Sequence, residues 1–210
     1  MHDQAACYLC DNRASTRDHV PARSLFPQPR PDNLITVPCC AHCNTAYSRD
    51  EEYFRNNLSM VADYRHDAPI WEATRRSYHR RPSIRTEIIS RMTTAQIGLA
   101  PQPILRFDVV RTNRVLVKFA KGLAFHHSGQ RLLADVSADV YQDSRIPLIL
   151  ADTLPRCSDR GSWGDVFSYV GAMAFDAPGE GMWMMTFYSS VLFLVRFYRN
   201  AASARAEPRA

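Results

Sequence analysis

Lysine is almost missing from this chain: of its 26 basic residues only Lys118 and Lys121 are lysines, and the rest are arginines. A surface that must hold anions therefore does so through guanidinium groups, whose planar fork bonds phosphate bidentately where an ammonium is a point charge. A GC-rich coding sequence produces the same excess. A membrane-length apolar run is missing too. The most apolar stretch, residues 182–197, is interrupted by Ser189, Ser190 and Arg196 and falls short of the ~20 residues that a spanning helix needs. Nothing before Cys7 has the cationic and apolar composition of a secretory leader. Internal repeats and low-complexity tracts are lacking as well. The expectation is a soluble, cytoplasmic protein with no membrane partner.

What is present is ordinary globular material. The 210 residues are 46% hydrophobic and 22% charged, enough for one substantial core or two small ones. A formal charge of +5 suits a polyanionic partner without requiring one. Five of the six cysteines fall within the first 43 residues, as Cys7-x-x-Cys10, Cys39 and Cys40-x-x-Cys43. In a cytosolic chain such clustering speaks for metal rather than disulfides. Each C-x-x-C turn puts two thiolates on one side of a knuckle, and two knuckles complete the tetrahedron zinc prefers. Cys7, Cys10, Cys40 and Cys43 are thus the expected structural zinc ligands, with Cys39 or His42 as alternatives to Cys40.

Between the knuckles, residues 18–38 hold five of the thirteen prolines. Pro27, Pro29 and Pro31 exclude a helix and predict an irregular connection between short strands at residues 19–20 and 34–37. From residue 41 to 58 the pattern becomes amphipathic and helical, with Tyr47, Phe54 and Leu58 among charged residues. A zinc joining both knuckles would carry Asn44 toward the strand bearing Asp18 and His19. A carboxylate, a carboxamide oxygen and an imidazole would then share one point, which is a workable site for a hard divalent cation with a general base beside it.

The run Cys7-x-x-Cys10, Arg17-Asp18-His19-Val20-Pro21, Asp32-Asn33-Leu34, Cys40-x-x-Cys43-Asn44 resembles the HNH endonuclease superfamily, in particular small standalone bacterial HNH proteins. The resemblance is specific over residues 7–54 and weak beyond. It implies a ββα-metal fold in which His19 is the general base and Asp18 and Asn44 bind a catalytic divalent cation such as Mg2+. Asn33 would brace the loop and orient His19. It also implies cleavage of DNA phosphodiesters, with RNA as the alternative substrate, in a setting of restriction or anti-phage defence. The chain departs from the family pattern at Thr45-Ala46-Tyr47, where relatives often carry a Gly-Lys whose lysine can meet phosphate; Arg49 is the candidate substitute. A zinc-stabilised nucleic-acid-binding module with little or no cleavage is the competing expectation.

The remainder reads as an α+β protein: residues 1–60 as the zinc-stabilised module, 61–100 as a helical basic connector, 101–200 as an accessory α+β domain with an antiparallel sheet, and 201–210 as a tail. The connector is expected to form helices at 72–78 and 83–92, broken at Pro82 with Ser83 as a cap. Its arginines are either a solvated face or a surface that tracks a nucleic-acid backbone, with Arg75, Arg76, Arg80 and Arg81 as candidates beside Arg49. Pro101-Gln102-Pro103 would open the accessory domain, followed by a strand at 104–110 and a helix at 113–128 ended by Gly129. His126 and His127 in its last turn favour the helix dipole more than catalysis. Further strands are expected at 147–154, 166–175 and 182–198, the last split at Ser189-Ser190. No base-reading helix or specificity motif is legible. The accessory domain could carry a homo-oligomer contact or a regulatory protein partner, although residues 182–197 read better as core.

Overall fold

Proline-rich chain cannot pair with itself, so the first strands form at either end of the loop and meet across it. In the computed structural model, which describes residues 5–61, 68–98 and 100–199, β1 (Thr16–His19) and β2 (Thr36–Cys39) are antiparallel, with Asp18 opposite Val37 and His19 opposite Thr36. The chain turns at Cys40 into α1 (Ala41–Ala46) and, after Tyr47, α2 (Ser48–Val61). The expected single helix is thus two. The connector forms α3 (Ala68–Arg80) and α4 (Pro82–Ser90). The break falls beside Pro82 as expected, but Pro82 itself opens α4 and Ser83 does not cap it, because proline's fixed φ suits the first helical position.

Residues 92–105 depart from the expectation. They form a two-stranded hairpin, β3 (Met92–Ile97) with β4 (Ala100–Leu105), so Pro101 and Pro103 lie within a strand rather than at a boundary. A two-stranded sheet leaves each strand an edge, where proline's missing N–H costs little. The expected strand at 104–110 is divided: Val109 and Val110 belong to the next helix, α5 (Val109–Ser128), because Asp108 caps it by accepting from the Arg111 N–H at 3.2 Å. Gly129, at φ 69°, ends α5 as expected.

The C-terminal half is an antiparallel sheet built from β5 (Val136–Gln142), β6 (Asp159–Trp163), β7 (Phe167–Met173), β8 (Gly181–Phe187) and β9 (Val191–Arg199), in the order β5-β9-β8-β7-β6. Residues 147–154 were expected as a strand but form the short helix α6 (Leu148–Ala151) and a 3-10 turn. This segment lays Leu150 and Leu154 over Leu194 on the outer sheet face. The inner face, with Phe167, Trp183, Met185, Phe187, Phe193, Val195 and Phe197, packs on α5, whose Val115, Leu116, Phe119, Ala120, Leu123 and Ala124 are fully buried. The 182–197 stretch is therefore core. Each such Leu, Val or Phe contributes about 1.5–3 kcal/mol. The protein is α+β with antiparallel sheets, and one buried cluster runs from Cys7 in the first module to Phe197 in the last strand. Among the described residues no helix is long and apolar enough to cross a membrane. Residues 201–210, expected as a tail, lie outside the described residues, as do residues 62–67 of the connector.

Two contacts fix the proline-rich loop to the sheet. Tyr188 donates its hydroxyl to the Leu25 carbonyl at 2.8 Å, and the Trp163 indole donates to Asn33 Oδ1 at 3.1 Å. Gly122 lets α5 approach β1's end, since a Cβ there would sit 2.4 Å from Val20 Cγ2.

Candidate metal centre and adjoining cleft

Cys7 and Cys10 lie in the loop closed by the isolated bridge between Ala6 and Arg13, and Cys40 caps α1 through its own sulfur, which accepts from the Cys43 N–H at 3.4 Å. Cys7, Cys10, Cys40 and Cys43 thereby point at one another. Their sulfurs all lie within 4.8 Å of each other, with Cys10 to Cys40 at 3.7 Å and Cys43 to Cys10 at 3.5 Å. A tetrahedron with Zn–S bonds of about 2.3 Å has S–S edges of roughly 3.8 Å, so the four thiols fit a zinc ion. Burial opposes ionisation of Cys7, but N–H groups of Cys40, Leu9 and Cys10 bring its pKa down to about 7. Burial and the neighbouring sulfurs push Cys43 up. Bound metal would hold all four as thiolates. Cys39 is wholly buried, 3.9 Å from the Cys7 sulfur and outside the group; His42 is exposed.

Beside this centre opens a cleft of about 430 Å³ lined by Asp18 and His19 of β1, Ala22, Arg23 and Ser24 of the loop, Asn44 of α1, Ser48, Glu51, Glu52 and Arg55 of α2, and Arg80 and Arg81 at the end of α3. Asp18, His19 and Asn44, expected to converge, do share this cleft. Asn44 reaches across to β1, donating from Nδ2 to Thr16 Oγ1 at 3.1 Å and to the Arg17 carbonyl at 3.4 Å. Asp18 is 5% exposed. Its Oδ2 accepts from the Tyr8 hydroxyl at 2.7 Å and lies 2.8 Å from the Lys118 ammonium, which also contacts Glu51. Burial disfavours the Lys118 cation, yet Glu51 and Asp18 outweigh it and raise its pKa. Burial likewise pushes Glu51 up against the pull of Lys118, as expected where one ammonium serves two carboxylates.

His19 is half-buried. Burial first, then the Arg23 guanidinium, lower its pKa below the ordinary 6.5 against the opposing Asp18 carboxylate, so the ring is neutral at pH 7 and can accept a proton. Since the bonds of Asp18 converge on Oδ2 and those of Asn44 on Nδ2, the oxygens left to a cation are Asp18 Oδ1 and Asn44 Oδ1. Oxygen donors of this type are those a hard cation such as Mg2+ takes, although the Asp18 carboxylate is already paired with Lys118. Among the described residues, the four cysteines are the only group of three or more His, Cys, Asp or Glu with ligand atoms clustered for a metal.

Other expectations find different places. Asn33 does not line the cleft, but its side chain accepts from Trp163 and so braces the loop against the sheet. Arg80 and Arg81 line the cleft, and Arg81 holds Glu52 at 2.6 Å. Arg49, Arg75 and Arg76 do not. Arg49 is exposed, with its carbonyl accepting from Arg111, and Arg75 pairs with Glu72 at 2.8 Å. His126 and His127 do lie in the last turn of α5 as expected, and His127 in addition contacts the Tyr169 hydroxyl at 2.9 Å and stacks on Trp183. Sequence reasoning missed Arg23, Glu51, Glu52, Arg55 and Lys118. A signal existed for most of them: Asn44, Ser48, Glu51, Glu52 and Arg55 recur at helical spacing directly after the last cysteine, a polar stripe on one face. Comparison with protein-family models, curated proteins and solved structures returns no match for this chain.

Proposed function

We propose that the chain is a metal-dependent endonuclease of the HNH type, hydrolysing phosphodiester bonds of DNA. One observation carries this reading: two strands and a helix, joined at a four-cysteine centre, bring the His19 imidazole and the Asn44 carboxamide to one arginine-lined cleft. His19 takes a proton from the attacking water, a role suited to an imidazole kept neutral by burial and by Arg23. Asp18 and Asn44 would hold a divalent cation, which supplies charge neutralisation at the scissile phosphate and the leaving oxygen. Arg23, Arg80 and Arg81 attract the polyanion to the cleft. The zinc cysteines take no part in the reaction and hold α1 against β1.

The Asp18–Lys118 contact favours a second reading, a zinc-stabilised nucleic-acid-binding module with weak cleavage. A carboxylate already neutralised by an ammonium binds a cation less tightly. Supercoiled plasmid incubated with Mg2+, Mn2+ or Ni2+ separates the two. Nicking by the wild-type protein that disappears in His19→Ala, with DNA binding and folding retained, supports the nuclease. Tight binding without nicking at any of these metals supports the second reading, and nicking by a fully active His19→Ala protein removes His19 from the chemistry.

A further inference from the structure

Arg55 is an unusual resident of the cleft wall. Its residue is 7% exposed, and among the described residues no carboxylate lies within ion-pairing distance of it, although two less buried arginines of α5 each have one. Arg111 and Arg114 bond Asp50 at 2.9 and 2.7 Å. Arg55 instead gives Nε and Nη2 to a single neutral acceptor, Asn56 Oδ1, at 3.2 and 2.7 Å. Asn56 is wholly buried and is itself fixed by Ser77, which donates onward to Glu52 at 2.7 Å. The guanidinium is thus oriented by a rigid amide rather than neutralised by an acid. Burial lowers its pKa, the Glu52 carboxylate, too far for an ion pair, offsets part of that, and Arg80 adds to the lowering.

Burying a charge is costly unless something compensates it. Here the cation, without a direct ion pair, lines a cleft shared with His19, Arg23 and Arg80, where the nearby Glu52 is already held by Arg81, so a bonded counter-charge has to come from an anion entering the cleft. The spare edge of a guanidinium held in this way matches two oxygens of one phosphate. Resting on the nuclease reading above, we infer that Arg55 is the residue that binds the non-bridging oxygens of a nucleic-acid phosphate in this cleft, with Asn56 setting its orientation. It then supplies the cation that the Thr45-Ala46-Tyr47 segment lacks, a place for which sequence reasoning offered Arg49.

The test is done with the His19→Ala protein and no added divalent metal, so that binding is read apart from cleavage. Inorganic phosphate, a twelve-nucleotide DNA and a glutamate-rich peptide are titrated while the Arg55 Nε–H resonance is followed by NMR. The resonance should shift saturably with phosphate and with the oligonucleotide. Arg55→Gln should weaken oligonucleotide binding about tenfold and lower the slope of log K against log salt by about one contact. Arg55→Lys should restore the slope but not the full affinity, because charge returns without the fork, and the distant exposed Arg145→Gln should change neither. A purely structural role would move melting temperature and leave the salt slope intact. Should Arg55→Gln fail to fold, the resonance of the parent protein still decides. No response to phosphate, or an equal response to the peptide with no oligonucleotide binding, overturns the inference. A phosphate response at Arg55 in a protein that never nicks plasmid would uphold the subsite and remove the nuclease.

Discussion

Replacing Lys118 with methionine is the sharpest probe of how the cleft is held. The side chain is enclosed, with the residue 1% exposed, and its ammonium contacts both Asp18 and Glu51. Methionine keeps the length and removes the charge. Two carboxylates that met at one nitrogen would be left within about 6 Å of each other, where repulsion at an effective dielectric of 20 is roughly 3 kcal/mol. Removing one partner of a buried pair costs about 3–5 kcal/mol when measured directly, and the two figures agree. Urea unfolding at pH 7 should therefore show Lys118→Met destabilised by about 3–5 kcal/mol, and the added change Glu51→Gln should recover a large part of it. The deficit should shrink as pH falls through the carboxylate range, because Glu51, already raised by burial, takes up a proton. In the wild type the sign is opposite at the alkaline end. The Lys118 pKa is raised in the folded state, so its contribution is complete below 10.5 and is lost as pH rises through the folded value. A loss under about 1 kcal/mol, or no recovery on adding Glu51→Gln, would show that the triad does not stabilise the fold.

The remaining predictions test the other supports. Cys40→Ser should lose zinc and unfold the first module, since zinc binding of about 10–16 kcal/mol rivals the whole stability of a domain at about 5–15 kcal/mol. Metal content and far-UV circular dichroism check it, and a folded, zinc-free protein would contradict it. The His19 imidazole, followed by NMR without added divalent metal, should titrate below 6.5, and Arg23→Gln should move the midpoint upward. Because the folded pKa is the lower one, His19 contributes stability above 6.5 that is lost as pH falls through the folded value. Gly122→Ala should destabilise by about 1–3 kcal/mol through overpacking, despite alanine's better helix propensity, because its Cβ would meet Val20 at 2.4 Å; Val20→Ala should relieve it in the double variant's melting curve.

The parts legible in the sequence were those governed by short-range rules. Two C-x-x-C turns announced four converging thiols, Gly129 announced the end of α5, and Ser189-Ser190 marked the turn between β8 and β9. Positive φ at Tyr188 and Ser189 shows why that turn is tight. The mistaken segments were those where partners far along the chain decide. Residues 147–154 are apolar enough for a strand, but they serve as a cover for the outer sheet face and curl into turns with no strand beside them. Pro101 and Pro103 look like breakers, yet an edge position tolerates both. Periodicity could not show either, because neither depends on neighbours in sequence.

The cleft illustrates the same division. Asp18, His19 and Asn44 were legible because the four-cysteine centre brings their strand and helix together across the proline-rich loop. Lys118 sits about a hundred residues later, and its α5 face reads from sequence as plain amphipathic helix with a cation on its rim. Only its packing against α2 shows a buried ammonium between two acids. The consequence is a distribution of labour in the charges around the cleft. Lys118 satisfies Asp18 and Glu51, Arg81 satisfies Glu52, and the α5 arginines satisfy Asp50. With the acids thus engaged, Arg23 and Arg55 remain without a direct ion pair among the described residues, and the four arginines lining the cleft outnumber its three acids. Under the proposed function an anion entering it would be bound by guanidinium groups rather than ammonium groups, which gives the nearly lysine-free composition a use at the site.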